Sequence, residues 1–412
     1  MPEAWIIDAC RTPRGIGKKG KGALAHLHPQ HLGSTVLAAL AERNNLNTAE
    51  VDDIVFGTSW QRGTQGGDLA RMAALDAGYD IKASGVTLDR FCGSGITSVN
   101  IAAASIMSGM EDLVIAGGCE MMSLYGSDPS QSPFMDNDNL HLRELHPQPH
   151  QGVCADAIAT IENISREALD ALAYESQQRA AAAIAGGYFD RSLVPVLNAD
   201  GSVALDREEF PRPETTLEGL AELKASFGAL ADYPLNEQGG TYRQLVTQAY
   251  PDLVINHVHH AGNSSGVVDG AAALLLASPD YAQAHDMKPR GRIVAMANMG
   301  DSPTLMLNAP VPAAKKVLAK AGLELGDIDL FEINEAFAVV AEKFVRDLDL
   351  DRDKVNVNGG AMALGHPIGA TGSVLIGTVL DELERRGGRY GLVTMCAAGG
   401  MAPAIIIERV DG

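Results

Sequence analysis

Cationic side chains are in short supply: 32 Lys and Arg stand against 52 Asp and Glu, a formal net charge of −20. Such a field repels nucleic acid and anionic membrane, so neither is an expected partner, and an anionic substrate needs a local basic patch. Cysteine is scarce as well. The five present, Cys10, Cys92, Cys119, Cys154 and Cys396, are odd in number and lack framework spacing, which excludes a secreted disulfide scaffold and points to a reducing compartment, the cytoplasm. No uninterrupted apolar run reaches membrane-spanning length, and the N-terminus from Pro2 to Ala9 reads as a strand start rather than a basic, apolar signal. No G-x-x-x-x-G-K-[ST] occurs, which removes a P-loop. Aromatics are few at 5% while Gly numbers 44, so the expected core is aliphatic and tightly packed.

What is present is enough chain for two or more domains, 412 residues. The opening part alternates short apolar runs with helical patterns, from Ala4 to Asp8, Leu32 to Arg43, Val51 to Gly57 and Gly66 to Ala77, predicting a parallel or mixed sheet covered by helices. A buried helix is predicted from Gly93 to Ser108 and a buried strand from Leu113 to Gly118. The order recurs near the C-terminus: the turn Gly369-Ala370-Thr371-Gly372, a helix from Ser373 to Arg386, then a strand from Tyr390 to Cys396. The recurrence suggests an internal duplication. Between the two lies a stretch rich in polar residues, Pro and Gly, with a helix from Arg166 to Ala185. It is too long for a loop and reads as an inserted subdomain.

Small residues surround the groups that could carry chemistry. Cys92 lies in Arg90-Phe91-Cys92-Gly93-Ser94-Gly95, directly before a predicted helix whose N-terminal dipole would favour a thiolate. His366 lies in a glycine-rich, uncharged stretch from Gly359 to Gly372, suited to a general base or an oxyanion donor. Cys396, before Ala397-Ala398-Gly399-Gly400, reads either as a second acid/base thiol or as a buried strand end. Asn334-Glu335-Ala336-Phe337 puts an amide and a carboxylate at another strand end, where Asn334 taken alone reads first as a helix N-cap. The remaining patterns are weak. His257, His259 and His260 form a run without an acidic partner in sequence, so no metal site is expected. The G-x-G-x-x-G from Gly15 to Gly20 is a lysine-rich loop rather than a helix opening, and the G-x-S-x-G around Ser264 follows a polar run instead of a buried strand.

Taken together, Phe91 to Gly95, Asn334 to Phe337, Gly359-Gly360 through Gly365-His366-Pro367, and Cys396 to Gly400 resemble the thiolase family in order and spacing. Ile7 to Pro13 and His260 to Gly266 also look like thiolase segments. The resemblance implies a five-layered αβαβα fold of two duplicated βαβαβαββ halves, with residues 1–122 and 249–277 as the N-terminal domain, 123–248 as an inserted CoA-binding loop domain, and 278–412 as the C-terminal domain. It implies reversible thiolysis of 3-oxoacyl-CoA by ping-pong acyl transfer, with coenzyme A as substrate and no cofactor. By resemblance Cys92 is the acylated nucleophile, His366 activates it, and Cys396 moves the proton on the α-carbon or on incoming CoA. Asn334 holds a water that serves the enolate with His366, and the N–H groups of Cys92 and Ala398 form the second oxyanion site. Ala261, Ser265, Arg212 and Phe337 fall at substrate or CoA positions. The sequence departs from common relatives in two places, Ala398 for glycine and Gln151 for methionine beside the acyl pocket. A homodimer or homotetramer is implied; a partner enzyme of β-oxidation is compatible with the resemblance but is not implied by it.

Three rival readings remain open at this level. A ketoacyl-synthase-like condensing enzyme would pair two histidines with one cysteine. A Cys-His-Asn hydrolase needs only Cys92, His366 and Asn334. A silent binding protein on the same scaffold would form no acyl-enzyme.

Overall fold

The computed structural model describes residues 3–125, 134–235 and 240–410; residues 1–2, 126–133, 236–239 and 411–412 lie outside them, among them Pro2 of the expected first strand and parts of the expected insertion 123–248. Among the described residues, nine of the ten strands of the main sheet carry the architecture: β1 (Trp5–Arg11), β2 (Asp53–Gly57), β3 (Val86–Leu88), β4 (Leu113–Met121), β5 (Val268–Ala277), β6 (Gly291–Gly300), β7 (Leu330–Ile333), β8 (Tyr390–Thr394) and β9 (Met401–Arg409). The helices that matter are α1 (Pro29–Arg43), α2 (Leu69–Asp76), α3 (Ser94–Ser108), α4 (Gln151–Ile161), α5 (Arg166–Ala185), α6 (Pro310–Ala321), α7 (Ala338–Leu348) and α8 (Ile368–Arg386).

The duplication is visible in the strand order. In the first half the order is β1-β5-β4-β2-β3, with β2 parallel to β3 and β4 and the other pairs antiparallel. In the second it is β6-β9-β8-β7, with β7 parallel to β8, the other pairs antiparallel, and a parallel bridge from Phe331 to Val355 where β3 has its counterpart. The two half-sheets meet through β1 and β6 at Trp5–Arg292 and Ile6–Gly291.

Alternation along these strands sorts side chains into layers. Ile54, Phe56, Ile115 and Leu275 face α1 and α2 on one outside. Val55, Val114, Leu274 and Leu276 of one half-sheet and Ile293, Leu330, Val393 and Ile405 of the other enclose α3 and α8 in the middle. Phe331, Ile333, Leu392 and Ile406 face α6 and α7 on the other outside. That is the five-layered αβαβα arrangement. The helix of 166–185 falls where its sequence places it. The strand expected to reach Cys396 ends at Thr394, because the chain then closes a tight turn through Gly399 and Gly400, both at positive φ, pinned by Ala397 and Met401. The helix expected from Ser373 starts earlier, at Ile368, and its first turn carries the glycines that let it approach α3.

At that crossing the two central helices touch backbone to backbone. A methyl group on Gly372 would overlap the backbone of Gly95 and Ile96, and one on Gly95 would press on the N–H groups of Gly372 and Ser373. No flexible side chain can yield there. Gly372→Ala is therefore expected to cost about 1–3 kcal/mol through overpacking, read as a lowered denaturation midpoint. Unchanged stability would mean that the helices are less closely apposed than described.

The apolar window Phe91–Ser108 is the one helical stretch among the described residues long and apolar enough to cross a membrane, and it is the central core helix α3, 67% buried.

Candidate active site

Parallel strands deliver their successors to one edge of the sheet, and open α/β sheets place sites at strand carboxyl ends. Cys92 follows β3, Asn334 follows β7 and Cys396 follows β8. Cys92 and His366 each sit two residues before a central helix, α3 and α8. The close crossing of those helices at Gly95 and Gly372 therefore brings the two turns to one place.

The Cys92 turn is held in an unusual conformation. Phe91 adopts φ +49°, a left-handed value that costs about 1–3 kcal/mol for a bulky residue and persists only when its surroundings impose it. Three hydrogen bonds impose it here: Phe91 N–H donates to Asp89 Oδ1 at 2.7 Å, Arg90 N–H to Ser94 Oγ at 2.8 Å, and the Ser94 hydroxyl to the Phe91 carbonyl at 2.6 Å. The helix end was expected to favour a thiolate, but burial dominates. It pushes the Cys92 thiol up to about 12, with the negative charges of Glu120 and Asp89 adding to the rise. The resting group is a thiol.

His366 is also buried, and burial pushes its pKa down to about 3, so the resting imidazole is neutral. Its tautomer follows from one neighbour. The Thr371 hydroxyl donates to the Pro367 carbonyl at 3.0 Å, so at 2.6 Å from His366 Nδ1 it acts as acceptor, and Nδ1 carries the proton. Nε2 is left as a bare lone pair without a partner, which is what a general base requires. Thr371→Val removes the acceptor and frees the ring. Turnover is expected to fall roughly 10- to 100-fold through lost orientation, with KM for CoA unchanged and Thr371→Ser close to the parent. Equal rates for the Val and Ser variants would remove Thr371 from the site.

Backbone hydrogen bonds stitch the other motifs to this turn. His366 N–H donates to the Gly266 carbonyl at 2.9 Å, Gly266 N–H to Ala361 at 3.0 Å, and Ser265 N–H to Ala336 at 3.0 Å, beside a bridge between Ser264 and Phe337. The Asn334 turn is fixed by its neighbour. The Glu335 carboxylate accepts from Ser176 Oγ (2.7 Å), Asn356 Nδ2 (3.0 Å) and Met362 N–H (3.2 Å). Asn334 is not a helix cap: Phe337 occupies that position, and both polar atoms of the buried Asn334 amide lack a partner. Cys396 is buried, and burial and the neighbouring Cys92 both push its thiol up. The two sulfurs are thus electrostatic neighbours from opposite halves, and a methyl on Gly93 would meet Ala397 at 3.4 Å.

The outlying expected residues fall on the middle segment and the 261–265 turn. Phe337 is buried edge-on to Phe227 and His259, with centroids 5.8 and 5.7 Å away. Gln151 opens α4, Ala261 is exposed and Ser265 half-buried, and Arg212 is exposed, its N–H on Gln177 at 2.9 Å. The histidine run does have acidic partners, contrary to the sequence reading. His257 and His259 share Asp156 at 2.6 and 2.8 Å, and His260 binds Asp170 at 2.7 Å. These acids come from α4 and α5, about a hundred residues earlier. The run holds the 257–266 segment against the helices, and no group of three metal-ligating side chains occurs among the described residues.

Two residues escaped the sequence reading. Glu120, fully buried, accepts from Thr58 Oγ1, Ser59 N–H, Trp60 N–H, Gln65 Nε2 and Gly369 N–H at 2.6–3.2 Å, tying β4 to the start of α8. A lone carboxylate in the apolar run Leu113–Met121 was its signal, since a buried charge must be paired. Thr371, five residues after His366, gave only its position in a helix start.

Comparison with known proteins fits this arrangement. The family model "Thiolase, N-terminal domain" matches residues 4–230 and "Thiolase, C-terminal domain" residues 287–409. This chain belongs to the thiolase family. It is 40% identical to a beta-ketoadipyl-CoA thiolase of Acinetobacter baylyi across 100% of both chains. It is 39% identical to the steroid 3-ketoacyl-CoA thiolase FadA6 of Mycobacterium tuberculosis, over 100% of this chain and 95% of that relative. A crystal structure of the Bacillus anthracis acetyl-CoA acetyltransferase superposes with a TM-score of 0.83 at 32% identity, covering 100% of this chain and 99% of the other. The thiolase fold and thiolytic acyl transfer with CoA thioesters follow for this chain, and the condensing-enzyme, hydrolase and binding-protein readings are not favoured.

Proposed function

We propose that this thiolase cleaves 3-oxoacyl-CoA, or condenses acetyl-CoA in reverse, through an acyl group carried on Cys92. The observation that carries the reading is a neutral His366 with a bare Nε2 and a neutral Cys92 thiol, on two turns that precede helices crossing at Gly95 and Gly372, with a second buried thiol, Cys396, as an electrostatic neighbour of Cys92. His366 Nε2 takes the Sγ proton as Cys92 attacks the 3-oxo carbon. The C2–C3 bond breaks, its electron pair passing to the acetyl-CoA enolate. Cys396 gives that α-carbon its proton and becomes a thiolate. It then takes the proton of incoming CoA, whose sulfur attacks the acyl-Cys92 carbonyl, and the Cys92 thiolate recovers its proton from His366. Enolate charge is met by the imidazolium and an Asn334-held water, and tetrahedral charge by the N–H groups of Cys92 and Ala398.

Residues 123–248 serve as the CoA-binding loop domain between N-terminal 1–122 with 249–277 and C-terminal 278–412, with Ala261, Ser265, Phe337 and Gln151 along the pantetheine and acyl group and Arg212 toward the nucleotide. Exposure of Arg212 in an otherwise acidic chain supports the last assignment. Self-association into a homodimer or homotetramer is supported by β3, which ends the sheet with one outer edge unpaired among the described residues and with Val86 exposed. Five buried, unpaired cysteines support a reducing compartment, the cytoplasm.

The test offers 3-oxoacyl-CoAs from acetoacetyl-CoA upward with CoA, following thioester loss and the mass of the Cys92 peptide. Thiolysis with an acyl adduct on Cys92 supports the reading, and the best chain length names the substrate. Turnover with the acyl group on another residue would sink it.

A further inference from the structure

Beside the Asn334 turn lies a small void of about 10 Å³, the lower limit for one water molecule. Its walls include Glu332, Asn334, Thr371, Arg14, Gly359 and Gly360, whereas Cys92, His366 and Cys396 are not part of its lining. It therefore touches the supports of the reacting groups rather than the groups themselves.

Three buried polar atoms around it lack partners: Asn334 Oδ1, Asn334 Nδ2 and Glu332 Oε2. Two orphaned side chains lining one void, Glu332 in β7 and Asn334 just beyond its end, are costly unless something bridges them. Arg14 does not, because its Nε and Nη2 are spent on Glu208, 2.7 Å away at the closest. Glu332 is 3% exposed, and burial together with the negative Glu335 and Glu382 raises its pKa well above the carboxylate range. It is thus an acid with an O–H to donate, next to an amide with a free acceptor.

We propose that Glu332 is a positioning residue for Asn334: one water in this void accepts the Glu332 O–H and donates to Asn334 Oδ1, leaving Nδ2 free to hold the separate water that meets the enolate. The inference rests on the role given to Asn334 above. Glu332 does not touch substrate, and its effect passes through the amide it orients.

Glu332→Gln keeps a neutral donor, whereas Glu332→Leu removes it at similar volume. The Leu variant is expected to lose kcat roughly 10- to 100-fold through misorientation, with KM for CoA unchanged, acyl-Cys92 still formed and the thermal midpoint unchanged or raised. The Gln variant should stay within a few-fold of the parent. Equal loss in both, a kcat loss matched by a fall in thermal midpoint, or parent-like kcat in the Leu variant would overturn the proposal. A near-atomic-resolution crystal structure of the unaltered enzyme is the second test and depends on no variant folding. One ordered water within hydrogen-bond distance of Glu332 Oε2 and Asn334 Oδ1 is expected, and a dry void would overturn the proposal. Absence of acyl-Cys92 in the unaltered enzyme would instead count against the proposed function, leaving the water to be judged on its own.

Discussion

Cys92→Ala should leave an enzyme that folds, binds CoA thioesters and transfers nothing. On the role proposed for it, loss of Cys92 removes the acyl intermediate itself, so the expected fall in kcat is about 10⁴-fold or more, comparable to the loss of a nucleophile in a catalytic triad. No acyl group should appear on the chain by mass spectrometry. Stability should change little, since Cys92 presents one small side chain to the central core. The state of the thiol gives a second readout. With Cys92 raised to about 12 and His366 lowered to about 3, the resting pair is thiol and imidazole rather than thiolate and imidazolium. Alkylation of Cys92 by iodoacetamide in the absence of substrate should climb steadily as pH rises from 6 to 9. A plateau already reached at pH 6 would mean a preformed ion pair and a different activation. On the role proposed for Cys92, the proton moves only as the substrate carbonyl arrives, which keeps the buried thiol protected between turnovers.

Cys396→Ala should separate the two half-reactions. Cys92 and His366 remain, so an activated acyl thioester should still label Cys92. Carbon–carbon bond making should fall about 10²- to 10⁴-fold, the usual worth of a positioned acid or base. Exchange of solvent deuterium into the acetyl-CoA methyl group, observed by NMR, should stop with it. Undiminished exchange would transfer the proton-moving role to another group, and loss of acylation would make Cys396 a support for the Cys92 turn. Burial keeps both thiols protonated at rest, which agrees with the proposed order in which Cys396 gives a proton before it takes one.

Parts of this design were legible without coordinates because they depend on local chemistry. The glycines flanking Cys92 and His366 announced turns where side chains would obstruct, and both turns are there. The helix of 166–185 and the buried strand from Leu113 declared themselves by pattern and length. The repeat of turn, helix and strand suggested a duplication, and the matching strand orders give it physical form. Other features depend on partners far away in the chain. The histidine run looked unpaired because Asp156 and Asp170 reach it from helices about a hundred residues earlier. The ionisation of Cys92 was misjudged because a helix end is a local feature, while the burial and the Glu120 charge that outweigh it are assembled by the whole fold. The strand into Cys396 was drawn too long since Val393, Thr394 and Met395 share one apolar pattern, and only the turn at Gly399 and Gly400 decides where pairing stops.

By itself the sequence determined the family to which the chain belongs and the candidate groups set among small residues, since residue type and spacing are one-dimensional properties. Tertiary structure alone decided how those groups behave. The crossing at Gly95 and Gly372 brings Cys92 and His366 to one place, Thr371 sets which nitrogen of His366 is bare, and burial holds thiols and imidazole neutral. Each depends on which atoms become neighbours and how much water is excluded, and neither is written in the order of residues.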